Sequence, residues 1–156
     1  MKYLKIFEEF TGFQLDEISK EEYYNTIDYN KRFGIPEKKV LEFKKNLPTE
    51  YKVSYGRGDK PQTVDFLRAE YHIEIDHVMF CREFSIKKMS QGEDEPCYVM
   101  FYNYEEFVPI KAPKDIERRS LQRKTYYRFE ESDFDQMCKN PQILLDFLSK
   151  NLTTSL

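Results

Sequence analysis

The chain has 156 residues, of which 40% are hydrophobic and 34% charged, and its formal net charge is −3. This length predicts a single domain, residues 1–156, with enough chain to bury a core. Its 13 Phe and 12 Tyr residues exclude a disordered chain, and no apolar run approaches the ~20 residues that a membrane-spanning helix needs.

Helix signals dominate the first third of the chain. Ser19 and Glu22 have the spacing of a capping box, in which each side chain satisfies a free backbone amide, and they predict a helix over residues 20–33. Gly34 stands where a glycine often ends a helix. Pro36 is predicted to begin a further helix at its first position, and this helix is expected to end near residue 46.

The middle of the chain is predicted to form a β-sheet. Apolar and polar residues alternate over residues 51–55, 71–75 and 78–86, as is typical of half-buried strands, although Arg82 breaks the last pattern. The segment Gly56-Arg57-Gly58 predicts a hairpin turn whose glycines take positive φ.

Later segments alternate between polar loops and apolar strands. A polar loop over residues 90–96 precedes a predicted strand over residues 97–102. A mainly polar stretch over residues 111–124 is then expected before a short aromatic strand over residues 125–129.

The end of the chain is again predicted to be helical. Ser132 is expected to cap a helix over residues 133–139, and Asn140-Pro141 is expected to begin a closing amphipathic helix. The order of elements predicts an α+β fold with N-terminal helices, a central, mostly antiparallel β-sheet that is either open or barrel-like, and C-terminal helices. The helical, β and closing helical parts of the domain are residues 1–47, 48–129 and 130–156.

Cysteine and histidine are too sparse for a disulfide framework or a zinc site. The three cysteines, Cys81, Cys97 and Cys138, are odd in number and form no C-x-x-C pair, which favours free thiols in a reducing cytoplasm. The two histidines, His72 and His77, precede Cys81 closely, but no second pair of ligands completes a tetrahedral zinc site. We therefore expect a cytoplasmic protein with no metal and no cofactor.

Charge is strongly segregated along the chain. Residues 111–128 carry seven basic and two acidic side chains, a net charge of +5, whereas residues 48–110 carry seven basic and twelve acidic side chains, a net charge of −5. Arginine presents a planar set of donors that matches phosphate oxygens, and neighbouring tyrosines offer surfaces for bases. The basic block predicts a phosphate-binding segment; the structural alternative is a solvated surface that pairs with the acidic segments. The candidate DNA contacts are Arg57, Lys60, Lys111, Lys114, Arg118, Arg119, Arg123, Lys124, Tyr126 and Arg128.

Two blocks of sequence resemble a known family. The segment Tyr51-Lys52-Val53-Ser54-Tyr55-Gly56-Arg57-Gly58-Asp59 resembles the V-x-x-S-x-G-x-G-N segment in the N-terminal DNA-binding domain of McrB-type restriction proteins. The run over residues 98–108 is similar to a later strand of that domain, an apolar run that ends in tyrosines and acidic residues. The resemblance, which extends to related LlaJI-like restriction proteins, implies a target-recognition module for double-stranded DNA in a bacterial restriction or phage-defence system.

The expected function is therefore non-catalytic DNA binding, with other subunits or domains of a restriction complex as further partners and no membrane partner. A nuclease is not expected, because His77 follows Glu74 and Asp76 where metal-dependent nucleases place a lysine. The alternative is a small inhibitor or immunity-type protein whose acidic face covers a basic site on an enzyme. The acidic residues of that alternative are Glu74, Asp76, Glu93, Asp94, Glu95, Glu105 and Glu106.

Overall fold

Strands make up most of the central part of the chain. The computed structural model describes residues 13–91, 95–108 and 118–154, and at positions 91, 108, 118–120 and 151–154 it describes the backbone alone. The strands are β1 (Asp16–Ile18), β2 (Arg32–Phe33), β3 (Ile35–Pro36), β4 (Lys52–Arg57), β5 (Thr63–Ile75), β6 (Val78–Gln91), β7 (Glu95–Val108) and β8 (Arg118–Phe129). The helices are α1 (Lys20–Tyr29), α2 (Glu37–Asn46), α3 (Glu131–Lys139) and α4 (Gln142–Thr154).

Within these ranges all strands belong to one antiparallel sheet. The order β1-β8-β7-β6-β5-β3 runs across it, while β2 pairs with β6 and β4 pairs with β5. The long strands β5 to β8 pair consecutively. The predicted α+β class is confirmed: the helices lie toward both ends of the chain and the long strands in its middle. Of the two predicted sheet forms the open one is observed, since the sheet does not close into a barrel.

The segment that holds β2 and β3 corrects the predicted helix over residues 20–33. Helix α1 begins after Ser19 as predicted, with the Ser19 hydroxyl accepting a hydrogen bond from the Glu22 amide at 3.0 Å, but it ends at Tyr29. Two hydrogen bonds then attach Lys31 to Ser90 of β6: the Ser90 amide donates to the Lys31 carbonyl at 2.8 Å, and the Lys31 amide donates to the Ser90 hydroxyl at 3.0 Å. Pairing with the sheet therefore replaces the last predicted helical turn.

Strands β2 and β3 lie where β5 and β6 separate. β2 pairs with β6 at residues 88–89, and β3 pairs with β5 at residues 63–64. Gly34 does not end a helix as predicted but joins the two strands. Its lack of a side chain is needed there because a Cβ atom would collide with the Thr63 side chain. The predicted helix after Pro36 is present as α2 and ends at Asn46.

Two predicted turn and loop features differ from the structure. Gly56 lies inside β4, next to the ring of Phe66, and neither Gly56 nor Gly58 has positive φ. Positive φ occurs instead at Gln62 (61°), in the turn between β4 and β5, and at Asp76 (50°) and His77 (68°), which form the two-residue turn between β5 and β6. The predicted loop over residues 90–96 is shorter, because β6 extends to Gln91 and β7 begins at Glu95.

The strand β8 and the helix after it also begin earlier than predicted. β8 begins at Arg118, so the polar stretch predicted over residues 111–124 is a strand in its second half, paired with β7. Helix α3 begins at Glu131, because Glu130 is its cap: the Glu130 amide donates to the Asp133 carboxylate at 3.1 Å. Ser132, the predicted cap, is thus inside the helix.

The sheet has two unlike faces. The packed face carries apolar side chains under α2, α3 and α4, including Phe84, Ile86, Met100 and Tyr102, each at most 2% exposed. The open face is covered by α1 at one end only, where Tyr23 packs on Tyr126 with ring centroids 5.0 Å apart. Among the described helices, none combines the length and apolar character required to cross a membrane.

Candidate functional site

The basic half of β8 lies at an edge of the sheet. β7 pairs with β8 along its length, but on the outer side β1 pairs only with residues 126–128. On this outer side, residues 118–125 therefore meet no other strand in the described part of the chain. Arg123 is opposite Tyr104 and Lys124 is opposite Asn103, so their side chains leave the edge on opposite faces of the sheet. Lys124 is exposed and Arg123 is half-buried.

Two further predicted contacts belong to this segment, and two lie outside the described residues. Arg118 and Arg119 are the first residues of β8 and follow the same edge, although only their backbone is described. Lys111 and Lys114 fall in a range that the structure does not describe. We call residues 118–125 of β8 the basic edge.

The structure separates Arg57 and Lys60 from the basic edge. Both are exposed, Arg57 at the end of β4 and Lys60 in the turn that follows. Between β4 and β8 lie β5, β6 and β7, so at about 4.8 Å per strand the two groups are about 19 Å apart across the sheet. They do not form one patch with the basic edge.

Tyr126 and Arg128 lie at the end of β8 that α1 covers. Tyr126 is 6% exposed and packs against Tyr23 and Phe101, so its ring belongs to a small core. The Arg128 guanidinium is 3.2 Å from the Glu22 carboxylate of α1. In this arrangement Tyr126 offers little surface to a base, and Arg128 already has an acidic partner.

The open face carries acidic and basic side chains together. Arg68 forms ion pairs with Glu70 at 2.8 Å and with Glu83 at 3.0 Å, and all three project from the open face. On β7, the Glu105 carboxylate accepts hydrogen bonds from Asn103 at 3.0 Å and Gln122 at 2.8 Å. These contacts form two polar clusters on the open face.

The acidic residues of the alternative function are distributed over several places. Glu74 and Asp76 are exposed at the turn end of the β5–β6 hairpin, and Glu105 belongs to the open face. Glu106 accepts a hydrogen bond from Tyr104 at 2.6 Å on the packed face. Glu95 begins β7 at the far end, and residues 93 and 94 lie outside the described ranges.

A cleft opens on the packed face beyond the region that the helices fill. Its cavity volume is about 530 Å³. Its basic member is Arg82 of β6, which stands in register with Tyr71 of β5 and Tyr104 of β7. The Arg82 guanidinium lies 6.0 Å from the centroid of the Tyr104 ring. The lining residues are Pro48, Glu50, Tyr51, Tyr71, Ile73, Phe80, Arg82, Tyr104, Gln142, Leu145 and Ser149.

Tyrosines determine the electrostatics of this cleft. Burial, together with the hydrogen bond and charge of Glu106, raises the pKa of Tyr104 to about 12. Burial also raises the pKa of Tyr51, against the opposing positive charge of nearby Arg82. Burial disfavours the charged form of Arg82, but Tyr102 and Tyr51 favour it more, so the pKa of Arg82 lies above its ordinary value. At neutral pH the cleft therefore contains the Arg82 cation beside the neutral phenols of Tyr51 and Tyr104, and Glu50 also lines it.

Sequence reasoning missed this cleft, although one signal marks it. Phe80, Phe84 and Ile86 share the packed face of β6, and Arg82 is the charged residue in the same alternation. A charge on the apolar side of a strand requires either a partner or access to solvent. The pattern break at Arg82 could have pointed to a site, but the partners that assemble around it come from other strands and from the loop before β4.

Metal-binding groups are not assembled in the part of the chain that the structure describes, whereas the Cys81 sulfur lies 3.1 Å from His72 Nδ1 and His72 Nε2 lies 3.4 Å from the Glu70 carboxylate. There, no group of three or more His, Cys, Asp and Glu side chains is arranged to hold a metal ion. The three cysteines are free and buried. No family model, curated protein or solved structure matches the chain significantly.

Proposed function

We propose that the protein is a non-catalytic DNA-binding module that contacts the phosphate backbone with its basic edge. The observation that carries this proposal is the position of the basic half of β8 at an edge of the sheet, beyond which no further strand is described. Assignment to a bacterial restriction or phage-defence system rests on the resemblance of residues 51–59 and 98–108 to McrB-type proteins.

The edge is suited to a linear polyanion. Side chains of successive strand residues leave it on both faces, about 3.3 Å apart along the strand, so residues 118–124 extend over about 20 Å. Arginine and lysine side chains and unpaired backbone amides are the groups that proteins most often direct at phosphates. A charged edge also prevents sheet-to-sheet aggregation, which is the structural alternative for the same residues.

A gel-shift titration with short duplex DNA tests the proposal. The edge variant replaces Arg123 and Lys124 with Gln. The matched control replaces Arg57 and Lys60 with Gln, which removes the same charge from the opposite edge of the sheet. We expect the wild type to bind at low salt with an affinity that falls steeply as salt rises. We expect the edge variant to reduce the slope of log K against log salt by about 1.8, at about 0.9 per phosphate contact, and the control to leave it unchanged.

Two outcomes would contradict the proposal in different ways. Absence of any shift at low salt by a folded wild-type protein would remove DNA binding altogether. Equal losses in the edge variant and the control would show that binding follows net charge and that the basic edge is not the contact surface. Circular dichroism and urea unfolding of each variant establish that the fold is retained.

A second candidate is a partner-binding protein that covers a basic site on an enzyme. The observation that favours it is the position of Glu70, Glu83 and Glu105 on the open face. Glu74, further along β5 from Glu70, is exposed near the end of that strand. We would then expect one basic protein to be captured by the wild type and lost by a Glu74→Gln, Glu105→Gln variant, in the absence of a DNA shift. Retention of the same protein by that variant would exclude the open face.

A further inference from the structure

Arg82 lies at the centre of a row of side chains that crosses the packed face. The register places Tyr71, Arg82, Tyr104 and Arg123 on neighbouring strands, at one level of the sheet. Tyr51, from the loop before β4, packs against Tyr71 with ring centroids 5.1 Å apart and lies beside Arg82. Three tyrosines thus surround one guanidinium.

The protein provides Arg82 with phenols and no carboxylate partner among the described residues. Its side chain lies beside Tyr51 and Tyr102, with the ring centroid of Tyr104 6.0 Å away, while Arg68, on the other face, is paired with two glutamates. Beside Arg82 the Tyr102 hydroxyl is buried and has no hydrogen-bond partner in the described part of the chain. A half-buried guanidinium that lacks a carboxylate partner and a buried phenol that lacks a hydrogen-bond partner are both unusual in a completed core.

The walls of the cleft are mainly apolar and aromatic. Ile73 and Phe80 line one side from the β5–β6 hairpin, and Leu145 of α4 lines the other. A volume of about 530 Å³ is within the usual range of small-ligand sites, in which an apolar lining surrounds a few polar groups. This geometry fits a ligand with an apolar or flat body and one anionic group.

We infer that this cleft binds a carboxylate that is attached to an aromatic or apolar group, with the carboxylate on Arg82 and the apolar group against Tyr51, Ile73 and Phe80. A planar guanidinium pairs with a carboxylate through two parallel hydrogen bonds. A monoanion is favoured over a phosphate dianion, because the cleft offers one central cation and Glu50 also lines it. The inference does not depend on DNA binding, since the basic edge and the cleft use different charges.

The carboxylate can come from a free metabolite or from the C-terminus of a peptide that ends in an apolar residue. Probes for both sources are benzoate and N-acetyl-phenylalanine, with N-acetyl-phenylalanine amide as the uncharged control and phenyl phosphate as the dianion. Binding to the full chain is measured by ligand-observed NMR and by chemical shifts of the cleft residues. We expect both carboxylates to bind, phenyl phosphate to bind more weakly, and the amide to bind at least about tenfold more weakly, since one charge-assisted pair is lost.

Two matched variants locate the site. Arg82→Met keeps the length and apolar contacts of the side chain and removes the charge; Arg68→Met makes the same change on the open face. We expect Arg82→Met to weaken carboxylate binding at least about tenfold, with little change in the affinity for the amide. Arg68→Met is expected to leave both affinities unchanged. Comparison of benzoate with N-acetyl-phenylalanine then shows which source of the carboxylate fits better.

Three results would overturn the inference. These are absence of carboxylate binding by the folded wild type at millimolar concentration, equal affinity for the acid and its amide, and equal effects of the two variants. If Arg82→Met unfolds, Arg82→Lys replaces it: lysine keeps the charge but loses the bidentate geometry, and we expect a smaller loss of carboxylate affinity. Unchanged affinity in a folded Arg82→Lys variant together with an unfolded Arg82→Met variant would indicate that the guanidinium is not the ligand-binding group.

Discussion

The two faces of the sheet differ in what occupies them, although the same strands contribute to both. On the packed face, Phe84 meets Phe43 of α2 edge-on at 6.0 Å, and Tyr98 stacks between Phe129 and Phe134 at 5.4 and 4.5 Å. On the open face the same strands present Arg68, the glutamates paired with it and the Glu105 network. Stability therefore depends mainly on one face, and the other is left for solvent or a partner.

The hydrophobic core occupies only part of the packed face. Helices α2, α3 and α4 fill it around Phe84 and Tyr98. Further along β6 the row at Arg82 is only partly covered, and Ile73 and Ile75 are 37% and 51% exposed. A face that is apolar by pattern thus ends in a cleft, because the helices are shorter than the β5–β6 hairpin on which they pack.

Truncation of a core side chain on the packed face should lower the free energy of unfolding. Phe84→Ala removes a fully buried ring in contact with Phe43, and we expect it to lower the free energy of unfolding by about 3–5 kcal/mol. Ser85→Ala, the next residue on β6, faces the opposite side of the sheet and is expected to change it by less than about 0.5 kcal/mol. Urea unfolding followed by circular dichroism measures both. Similar effects of the two changes would contradict the division between the faces.

Thiol labelling compares the two faces directly, because Cys81 lies on the open face and Cys138 belongs to the core of the packed face. Burial and the negative charge of Glu42 raise the pKa of Cys138 from 9.0 to about 12, which lowers its thiolate fraction about a thousandfold. Cys81 is on the open face, 9% exposed, with its sulfur 3.1 Å from His72 Nδ1. Since the thiolate is the reactive form, we expect iodoacetamide to label Cys81 at least about a hundredfold faster than Cys138.

Mass spectrometry of the labelled native protein identifies the reacting residue. Cys81→Ser should remove the fast phase, and Cys138→Ser should leave it unchanged. In urea the two rates should converge, because burial is lost on unfolding. Equal rates in the native protein would mean that α3 does not protect the packed face.

The smallest expected effect concerns ion pairs that join two helices over the packed face. Lys39 of α2 lies 2.9 Å from Glu131 and 2.7 Å from Asp135 of α3. Burial alone would raise the pKa of Glu131, but its hydrogen bonds and the charges of Lys39 and Lys88 lower it below 4.5. Burial likewise opposes the charge of Lys39, yet hydrogen bonds to both carboxylates raise its pKa above 10.5.

The pH window of this contribution follows from the two directions. The lowered pKa of Glu131 gives stability that is present above pH 4.5 and lost as the pH falls through the folded-state value, and the raised pKa of Lys39 gives stability that is lost above pH 10.5. We expect Lys39→Ala to cost about 0.5–1 kcal/mol at pH 7, since all three side chains are partly exposed and screened. The difference from the wild type should shrink below pH 4, and a constant difference across that range would contradict the ion-pair explanation.

Local sequence rules predicted the elements that depend on neighbouring residues. The cap at Ser19, the helix after Pro36 and the alternating strands β5 and β6 are all present. The rules failed where distant residues compete with local ones. Pairing with Ser90 ends α1 early, and pairing with β7 makes a strand of the polar residues after 118, whose side chains carry no alternating apolar signal.

The sequence by itself determined the α+β class, the helical ends and the segregation of basic from acidic residues, because periodicity and composition are local properties of the chain. Only the tertiary structure decided which charges share a surface. Arg57 lies at the opposite edge of the sheet from the basic edge, Tyr126 is buried under α1, and tyrosines surround Arg82. Strand register sets these neighbours, and register depends on pairing between residues far apart in the chain.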